Sequence, residues 1–206
     1  ADGGSDAAAE ARVSSAAVGP KVFYGLMHAH TFYSDGSGTP KEAYKMAKQA
    51  GLDFFAVTEH NHAAAEDSAD DRVDEVLIAT NHELYTSEDE LSIVRKPKGK
   101  PKQTVKSVSV MRAAKEENGP EFLALYGQEF STISKGNHVN VIDFDEVITV
   151  SDGSFDELYE MLDNKVAAGV RPPIVQLNHP DVQQDLFYKG KDADTKKKMK
   201  NDYGID

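Results

Sequence analysis

Two histidines and an acid lie close together in the segment HAHTFYSDG, which follows an apolar run. His28 and His30 are separated by one residue, and Asp35 comes five residues after His30. Imidazole and carboxylate groups are ligands that zinc, manganese and iron accept. If His28 and His30 belong to a strand, they point to the same side and both can face one ion. An HxH pair alone is weak evidence, because a histidine at a strand end more often makes structural hydrogen bonds.

Polar residues also stand at the ends of later apolar runs that are predicted to be strands. His60 lies near the end of LDFFAVTEHNH, and Glu129 lies near the end of EFLALYGQEF. His179 follows PPIVQLN, whereas His138 opens HVNVIDF and therefore fits the pattern least well. Strands that alternate with helices bring their C-terminal ends to one edge of a sheet or barrel. The combination of these residues, rather than any one of them, predicts a metal site.

The composition limits which ligands and which functions are available. The chain has 206 residues, of which 39% are hydrophobic, and its formal net charge is −12 at pH 7. This acidic balance argues against binding of long nucleic acids, whose phosphates require a basic surface. Cysteine is absent, so any transition metal must be held by His, Asp and Glu. No apolar run is long enough for a membrane span. The start at Ala1 rather than Met suits either a removed signal peptide or a shortened sequence, and we expect export, to the periplasm or outside the cell, rather than a cytoplasmic location.

The chain is expected to form one domain at residues 21–206, preceded by a flexible arm at residues 1–20. The arm is small, polar and low in complexity. The domain opens with a predicted strand, KVFYGLMHAH, and a predicted helix, TPKEAYKMAKQAG. Thr39 and Glu42 have the spacing of a capping box, and Gly51 is expected to end the helix.

An irregular insertion is predicted at about residues 63–103, where an acidic segment is followed by the basic loop RKPKGKPKQ. After the insertion, VKSVSVMRAAKEENG is predicted to be a helix. SFDELYEMLDNKVAAG is predicted to be another, capped by Ser154 and Glu157. With the five strands named above, this alternation predicts an α/β fold with a mostly parallel sheet or barrel.

His62 and the basic loop each have two interpretations, whereas His82 has one. His62 lies two residues after His60 in a predicted loop, where it either supports a metal ligand or faces the substrate. His82 lies in the insertion and is expected to be solvated. The cations of the basic loop either form a solvated surface or attract a small anionic substrate. They are Arg95, Lys96, Lys98, Lys100 and Lys102.

Five short motifs, in their order along the chain, resemble those of the PHP superfamily, which is named after its polymerase and histidinol phosphatase members. The motifs are HAHTFYSDG, FFAVTEHN, YGQEFST, GNHVNV and LNHP, and the resemblance covers residues 21 to about 181. A glutamate followed by GNHVNV is similar to the branch that includes carbaryl-hydrolase-like metallohydrolases, many of which are exported. The resemblance implies a distorted (β/α)7 barrel, of which this chain supplies about five strands.

The resemblance also implies two or three divalent ions of zinc, manganese or iron as cofactors. Their ligand groups would be His28, His30 and Glu129 for the first ion, Glu129, His138 and His179 for the second, and Asp35 and His60 for the third. Glu129 would bridge two ions. Glu129 and His62 are the residues to which a catalytic role is assigned.

These ligands imply a metal-dependent hydrolase. Adjacent cations lower the pKa of a shared water, so a metal-bridged hydroxide can attack without a nucleophilic side chain. We expect a phosphatase or phosphodiesterase that acts on a small phosphorylated substrate or nucleotide, with His62 or a lysine of the basic loop near the leaving group. The alternatives are a carboxylic or carbamate ester hydrolase with the same site, and a non-catalytic structural or binding module.

One expected part of the site has no counterpart in the sequence. PHP proteins usually complete their site with an Asp-x-His late in the chain, and no such pair follows His179. Five strands also fall short of the seven that a closed barrel of this type needs. We therefore expect a companion C-terminal segment that supplies the Asp-x-His. It would stay associated after cleavage in the lysine-rich tail that follows Pro180.

Intact-mass analysis under denaturing conditions tests this expectation. A second fragment that contains Asp-x-His should copurify with the chain, and the complex should bind more metal than residues 1–206 alone. A single species of 206 residues with full metal occupancy and full activity would contradict the expectation.

Overall fold

The computed structural model describes residues 21–62, 78–95, 101–132 and 137–178. The helices and strands in these ranges are β1 (Gly25–Leu26), α1 (Pro40–Gln49), β2 (Phe54–Asn61), α2 (Glu83–Thr86), β3 (Glu90–Arg95), β4 (Gln103–Val108), α3 (Val110–Glu117), β5 (Leu123–Phe130), β6 (Val139–Ile142), α4 (Phe155–Ala167) and β7 (Ile174–Leu177). Five strands form one sheet in the order β1-β2-β5-β6-β7, and β3 and β4 form a separate hairpin. The curled five-stranded sheet confirms the prediction of an α/β fold that supplies part of a barrel.

The predicted parallel arrangement holds only for the first three strands of the sheet. β1, β2 and β5 are parallel, whereas β6 is antiparallel to β5 and β7 is antiparallel to β6. A parallel crossover needs a dozen or more residues, and only residues 131–138 separate β5 from β6. The chain therefore returns directly beside β5, and the prediction of a mostly parallel sheet is wrong for this half.

The reversal of β6 explains how His138 joins residues that end other strands. Because β6 runs opposite to β5, its first residue lies at the edge where β2 and β5 end. β7 reverses again, and its last residue, Leu177, pairs with Val139 at that same edge. The next residue, Asn178, donates its backbone N–H to the carbonyl of His138 at 3.1 Å. His179 follows and lies outside the described residues.

The register of the sheet places several polar side chains on one face. His60 is opposite Glu129 in the β2–β5 pair, and Glu129 is opposite Asn140 in the β5–β6 pair. Directly paired residues point to the same face of a sheet, and so do residues two apart in one strand. His60, Glu129 and Asn140 therefore share a face with Thr58.

The first strand is shorter than the sequence predicts. β1 comprises only Gly25–Leu26, so His28 and His30 lie after the strand rather than at its end. The chain keeps a further backbone hydrogen bond to β2, from the Thr58 N–H to the Ala29 carbonyl at 2.8 Å. It then leaves the sheet in a tight turn that carries Asp35.

Part of the predicted insertion and part of a predicted helix form the β3–β4 hairpin. Residues 103–108 pair with residues 90–95, so the prediction of a helix over all of VKSVSVMRAAKEENG is wrong for its first residues. Three of the six residues of β4, Thr104, Val105 and Val108, are β-branched, which favours a strand. The helix α3 begins after Ser109, whose hydroxyl accepts a hydrogen bond from the Arg112 N–H at 3.1 Å.

The hairpin packs against the turn that follows His30. The Tyr33 hydroxyl donates to the Val108 carbonyl at 2.8 Å and lies 2.7 Å from the Ser107 hydroxyl. The guanidinium carbon of Arg95 lies 5.2 Å from the ring centre of Phe32. These contacts join the turn to the hairpin.

Buried apolar residues lie in two clusters beside the sheet. One includes residues of α1, α3, β2 and β5, and the other joins α4 to β5 and β6. The capping box of Thr39 and Glu42 is confirmed at α1, and Gly51 follows the helix with φ 80°. Ser154 is the N-cap residue of α4, as predicted, but its side chain makes no capping hydrogen bond. None of the helices in the described ranges is long and apolar enough to cross a membrane.

Candidate metal centre

The carboxylate of Glu129 lies at the centre of the site and is completely buried. Oε1 lies 3.3 Å from Nε2 of His28 and 3.0 Å from Nδ1 of His138. Oε2 lies 3.4 Å from Nε2 of His30 and 2.6 Å from Nδ1 of His60. Four predicted ligands, from three separate segments of the chain, therefore lie against the two oxygens of Glu129, which is itself a predicted ligand.

The separations around Glu129 resemble those between ligands of one ion. Two atoms bound to zinc at its usual distance, in tetrahedral geometry, lie about 3.4 Å apart. The contacts of Glu129 with His28 and His30 are 3.3 Å and 3.4 Å. These three side chains need little rearrangement to hold a divalent ion.

The ring nitrogens of His28 and His30 that face away from Glu129 contact hydroxyl groups. Nδ1 of His28 lies 2.6 Å from Oγ1 of Thr58, and Nδ1 of His30 lies 3.0 Å from Oγ of Ser34. A metal-binding histidine usually donates its second ring N–H to an acceptor of this kind. With that tautomer, assigned from the contacts, Nε2 of each ring presents a lone pair towards Glu129.

Asp35 reaches the cluster from the turn after His30. Its Oδ2 lies 3.3 Å from Nε2 of His60, and its Oδ1 lies 3.7 Å from Nδ1 of His30. The turn is closed by a hydrogen bond of 2.9 Å from the Gly36 N–H to the Thr31 carbonyl. His60 consequently lies between two carboxylates, with one ring nitrogen directed at each.

The electrostatics of the site divide the histidines into two kinds. Burial, together with the neighbouring charge of His60, lowers the pKa of His30 to about 3. Burial also lowers the pKa of His60, but hydrogen bonds with Asp35 and Glu129 outweigh it and raise the pKa to about 9. A hydrogen bond with His60 lowers the pKa of Asp35 to about 2. Without metal, His60 therefore carries the proton that a cation would replace.

Burial acts in the opposite direction on Glu129, since it raises the pKa of a carboxyl group. Hydrogen bonds with His138 and His60 outweigh burial and hold the pKa of Glu129 well below its usual value. The group is therefore a carboxylate, which is the form that binds metal.

Glu59, which was not among the predicted site residues, supports the turn that follows His30. This fully buried carboxylate accepts hydrogen bonds from the backbone N–H of Thr31 at 2.9 Å and from the hydroxyls of Thr31 and Ser34. Ser34 in turn contacts His30. Burial raises the pKa of Glu59 to about 7, against the effect of these hydrogen bonds. Glu59 therefore positions His30 indirectly, through the turn and the hydroxyl of Ser34.

Two asparagines also escaped the sequence analysis. Asn178 donates from Nδ2 to Oε1 of Glu129 at 2.7 Å and lies at the same distance from Oδ1 of Asn140. Nδ2 of Asn140 lies 3.3 Å from Nδ1 of His28. The available indication was a polar residue inside the apolar runs VNVI and IVQLN, where burial requires a hydrogen-bonding partner.

Histidine and acid side chains form three overlapping groups in the part of the chain that the structure describes. In each group, one ligand atom from every residue lies within 4.8 Å of the others. The groups are His28, His30 and Glu129; His30, Asp35 and His60; and His60, His62 and His138. The residues of these groups include every predicted ligand except His179, whose neighbour Asn178 reaches Glu129.

The other predicted residues lie away from this cluster or outside the description. His82 is exposed beside α2, as expected for a solvated histidine. Arg95 is half-buried at the end of β3, and Lys102 is exposed before β4. Lys96, Lys98 and Lys100 lie outside the described residues.

Two of three comparisons with known proteins found a match. Residues 27–165 match the family model of the PHP domain. One similar solved structure, from Bacteroides vulgatus ATCC 8482, is a two-domain protein containing a predicted PHP-like metal-dependent phosphoesterase. It is 14% identical, with a TM-score of 0.46, and the match covers 88% of this chain and 42% of that protein. The chain thus spans less than half of that protein's length. None of the curated proteins matches the chain.

Since the family model covers well over half of the residues, the chain belongs to the PHP domain family.

Proposed function

We propose that the protein is a metal-dependent hydrolase that cleaves phosphate esters of small substrates. The observation that carries this proposal is the buried carboxylate of Glu129 with four imidazoles against its oxygens. Membership of the PHP domain family supports it. A buried cluster of this composition is costly to maintain without a cation, since its polar atoms are removed from water.

The residues present fit two or three divalent ions of zinc, manganese or iron. His28, His30 and Glu129 would hold one ion, and Glu129 would extend its second oxygen towards another. His138 lies against Oε1 of Glu129, and Asp35 lies against His60. His179, which follows Asn178, remains a proposed ligand.

When bound, adjacent divalent ions lower the pKa of a water molecule and neutralise the charge that develops on the ester. The protein itself fixes the ligands and determines the direction of approach. The side chain of Glu129 is fully buried, whereas those of His28 and Asp35 are 24% and 33% exposed. A substrate would therefore enter from the side of the cluster where His28 and Asp35 meet solvent.

One cation near the turn that carries Asp35 supports a small anionic substrate. Arg95 lies over the ring of Phe32, which belongs to the same turn as Asp35. A local basic group of this kind attracts phosphate esters even when the net charge of the protein is negative.

The proposals of an exported location and of a companion C-terminal segment rest on the sequence. Exposed apolar residues in β1 and β7, the outer strands of the described sheet, also support the companion segment.

Assays with three chromogenic esters separate this proposal from its alternatives. With added manganese or zinc, the protein should hydrolyse p-nitrophenyl phosphate, its diester, or both, and chelator should abolish the activity. Turnover of an aryl acetate alone would contradict the phosphoesterase proposal and favour the carboxylic or carbamate ester hydrolase of the carbaryl-like branch. A protein that takes up no metal and hydrolyses none of the three would favour a non-catalytic module.

Replacement of Thr58 with valine tests the hydrogen bond that orients His28. Thr58→Val keeps the shape of a fully buried residue but removes the hydroxyl that lies 2.6 Å from Nδ1 of His28. We expect affinity for zinc, measured by chelator competition, to fall between about 10-fold and 100-fold, as for other groups that orient metal ligands. Thr104→Val, an exposed change in another strand, should leave the affinity unchanged. Equal affinities for the two variants would show that Thr58 does not orient a ligand.

A further inference from the structure

His62 is a buried histidine whose two ring nitrogens make no hydrogen bond with the residues that the structure describes. Its exposure is 7%, and Nδ1 and Nε2 are both inaccessible to solvent. A buried imidazole without partners loses its hydration and gains nothing in return. A native structure rarely keeps such a group unless it binds an ion or water.

The surroundings of His62 favour an ion as the missing partner. The ring centre of His62 lies 4.8 Å from that of His60 and 5.8 Å from that of His138. One nitrogen from each of the three rings lies within 4.8 Å of the other two. All three residues are buried, so their positions are set by the ends of β2 and β6 rather than by a flexible loop.

The overlap between the ligand groups limits how they can be filled together. His30 and His60 each occur in two of the three groups. A neutral imidazole has one lone pair for coordination, so each of these histidines serves one ion. The group of His28, His30 and Glu129 shares no residue with the group of His60, His62 and His138. These two groups can therefore be filled at the same time, whereas the group that contains Asp35 competes with both.

The contacts of His60 agree with this division. Nδ1 lies on the side of Glu129, and Nε2 lies 3.3 Å from Oδ2 of Asp35. If Nδ1 coordinates an ion, Nε2–H can donate to Asp35, which is the carboxylate contact that metal-binding histidines usually have. Asp35 then orients a ligand instead of binding an ion of its own.

We propose that His62 is a metal ligand, which together with His60 and His138 binds one divalent ion through three imidazoles. This inference rests on the proposed metal centre, groups His60 and His138 on one ion instead of two, and adds His62 as the third ligand of that ion. Three neutral imidazoles suit zinc or cobalt better than magnesium or manganese, which prefer oxygen ligands. Glu129 contacts both His60 and His138 as well as His28 and His30, so its carboxylate would be shared by the residues that hold the two ions.

Titration of the metal-free protein with cobalt(II) tests the assignment, because the visible absorption of cobalt reports the number and type of its ligands. The wild-type protein should bind one ion at each of the two independent groups. His62→Asn should lose one of these ions, with affinity at that site at least about 100-fold weaker and with loss of the corresponding absorption bands. His82→Asn makes the same chemical change at an exposed histidine and should titrate like the wild type. Circular dichroism of both variants establishes that they are folded.

A measurement on the wild-type protein covers the case in which His62→Asn fails to fold. In crystals grown with zinc, anomalous scattering should place an ion about 2.1 Å from a ring nitrogen of His62. An ion bound elsewhere in the cluster, with His62 out of reach, would overturn the inference and leave the proposed function intact. A folded His62→Asn variant that titrates with cobalt like the wild type would also overturn the inference and leave the proposed function intact. A wild-type protein that binds no cobalt would overturn both the inference and the proposed metal centre.

Discussion

The site depends on the burial of one carboxylate, Glu129, in a place where its charge must be balanced. A carboxylate removed from water is strongly destabilised unless opposite charge and hydrogen bonds replace its hydration. Here the Asn178 amide and four imidazoles surround the two oxygens. In the metal-free protein, the pKa of His60 is raised, so its protonated ring supplies a positive charge beside Glu129. Divalent ions would supply that charge more effectively and would leave the imidazoles neutral, which is the form that binds metal.

The sheet brings these groups together by two reversals of strand direction. A parallel arrangement would send the beginning of β6 to the far edge, whereas the antiparallel return places His138 beside Glu129. The reversal of β7 brings Asn178 back to the same edge. Behind the cluster, Glu59 fixes the turn that carries Asp35, and Thr58 fixes His28. Each residue that contacts Glu129 is thus held by a strand or by a buried hydrogen bond, as a preorganised site requires.

Sequence patterns predicted most elements and the identity of the residues around Glu129, because polar residues at the ends of apolar runs are a local feature. They failed where the outcome depends on pairing between distant segments. The short link from β5 to β6 made a parallel crossover impossible, but its consequence for His138 became visible only in the register. Glu59 and Asn178 were missed because their roles depend on hydrogen bonds to distant residues, which spacing does not reveal. His62 was noticed, but whether it faced the substrate or a ligand could not be decided without its burial.

The central claim, that Glu129 organises a metal centre, is tested most directly by the metal content of Glu129→Gln. Glutamine keeps the size of the side chain but removes its charge and its capacity to bridge ions, so we expect zinc affinity to fall at least tenfold, and bound metal after gel filtration to fall with it. Glu88→Gln makes the same change at a side chain that is 74% exposed and should retain wild-type zinc. Circular dichroism should show that both variants are folded. If a folded Glu129→Gln protein bound as much zinc as the wild type, with the same affinity, Glu129 would not be the centre of the site.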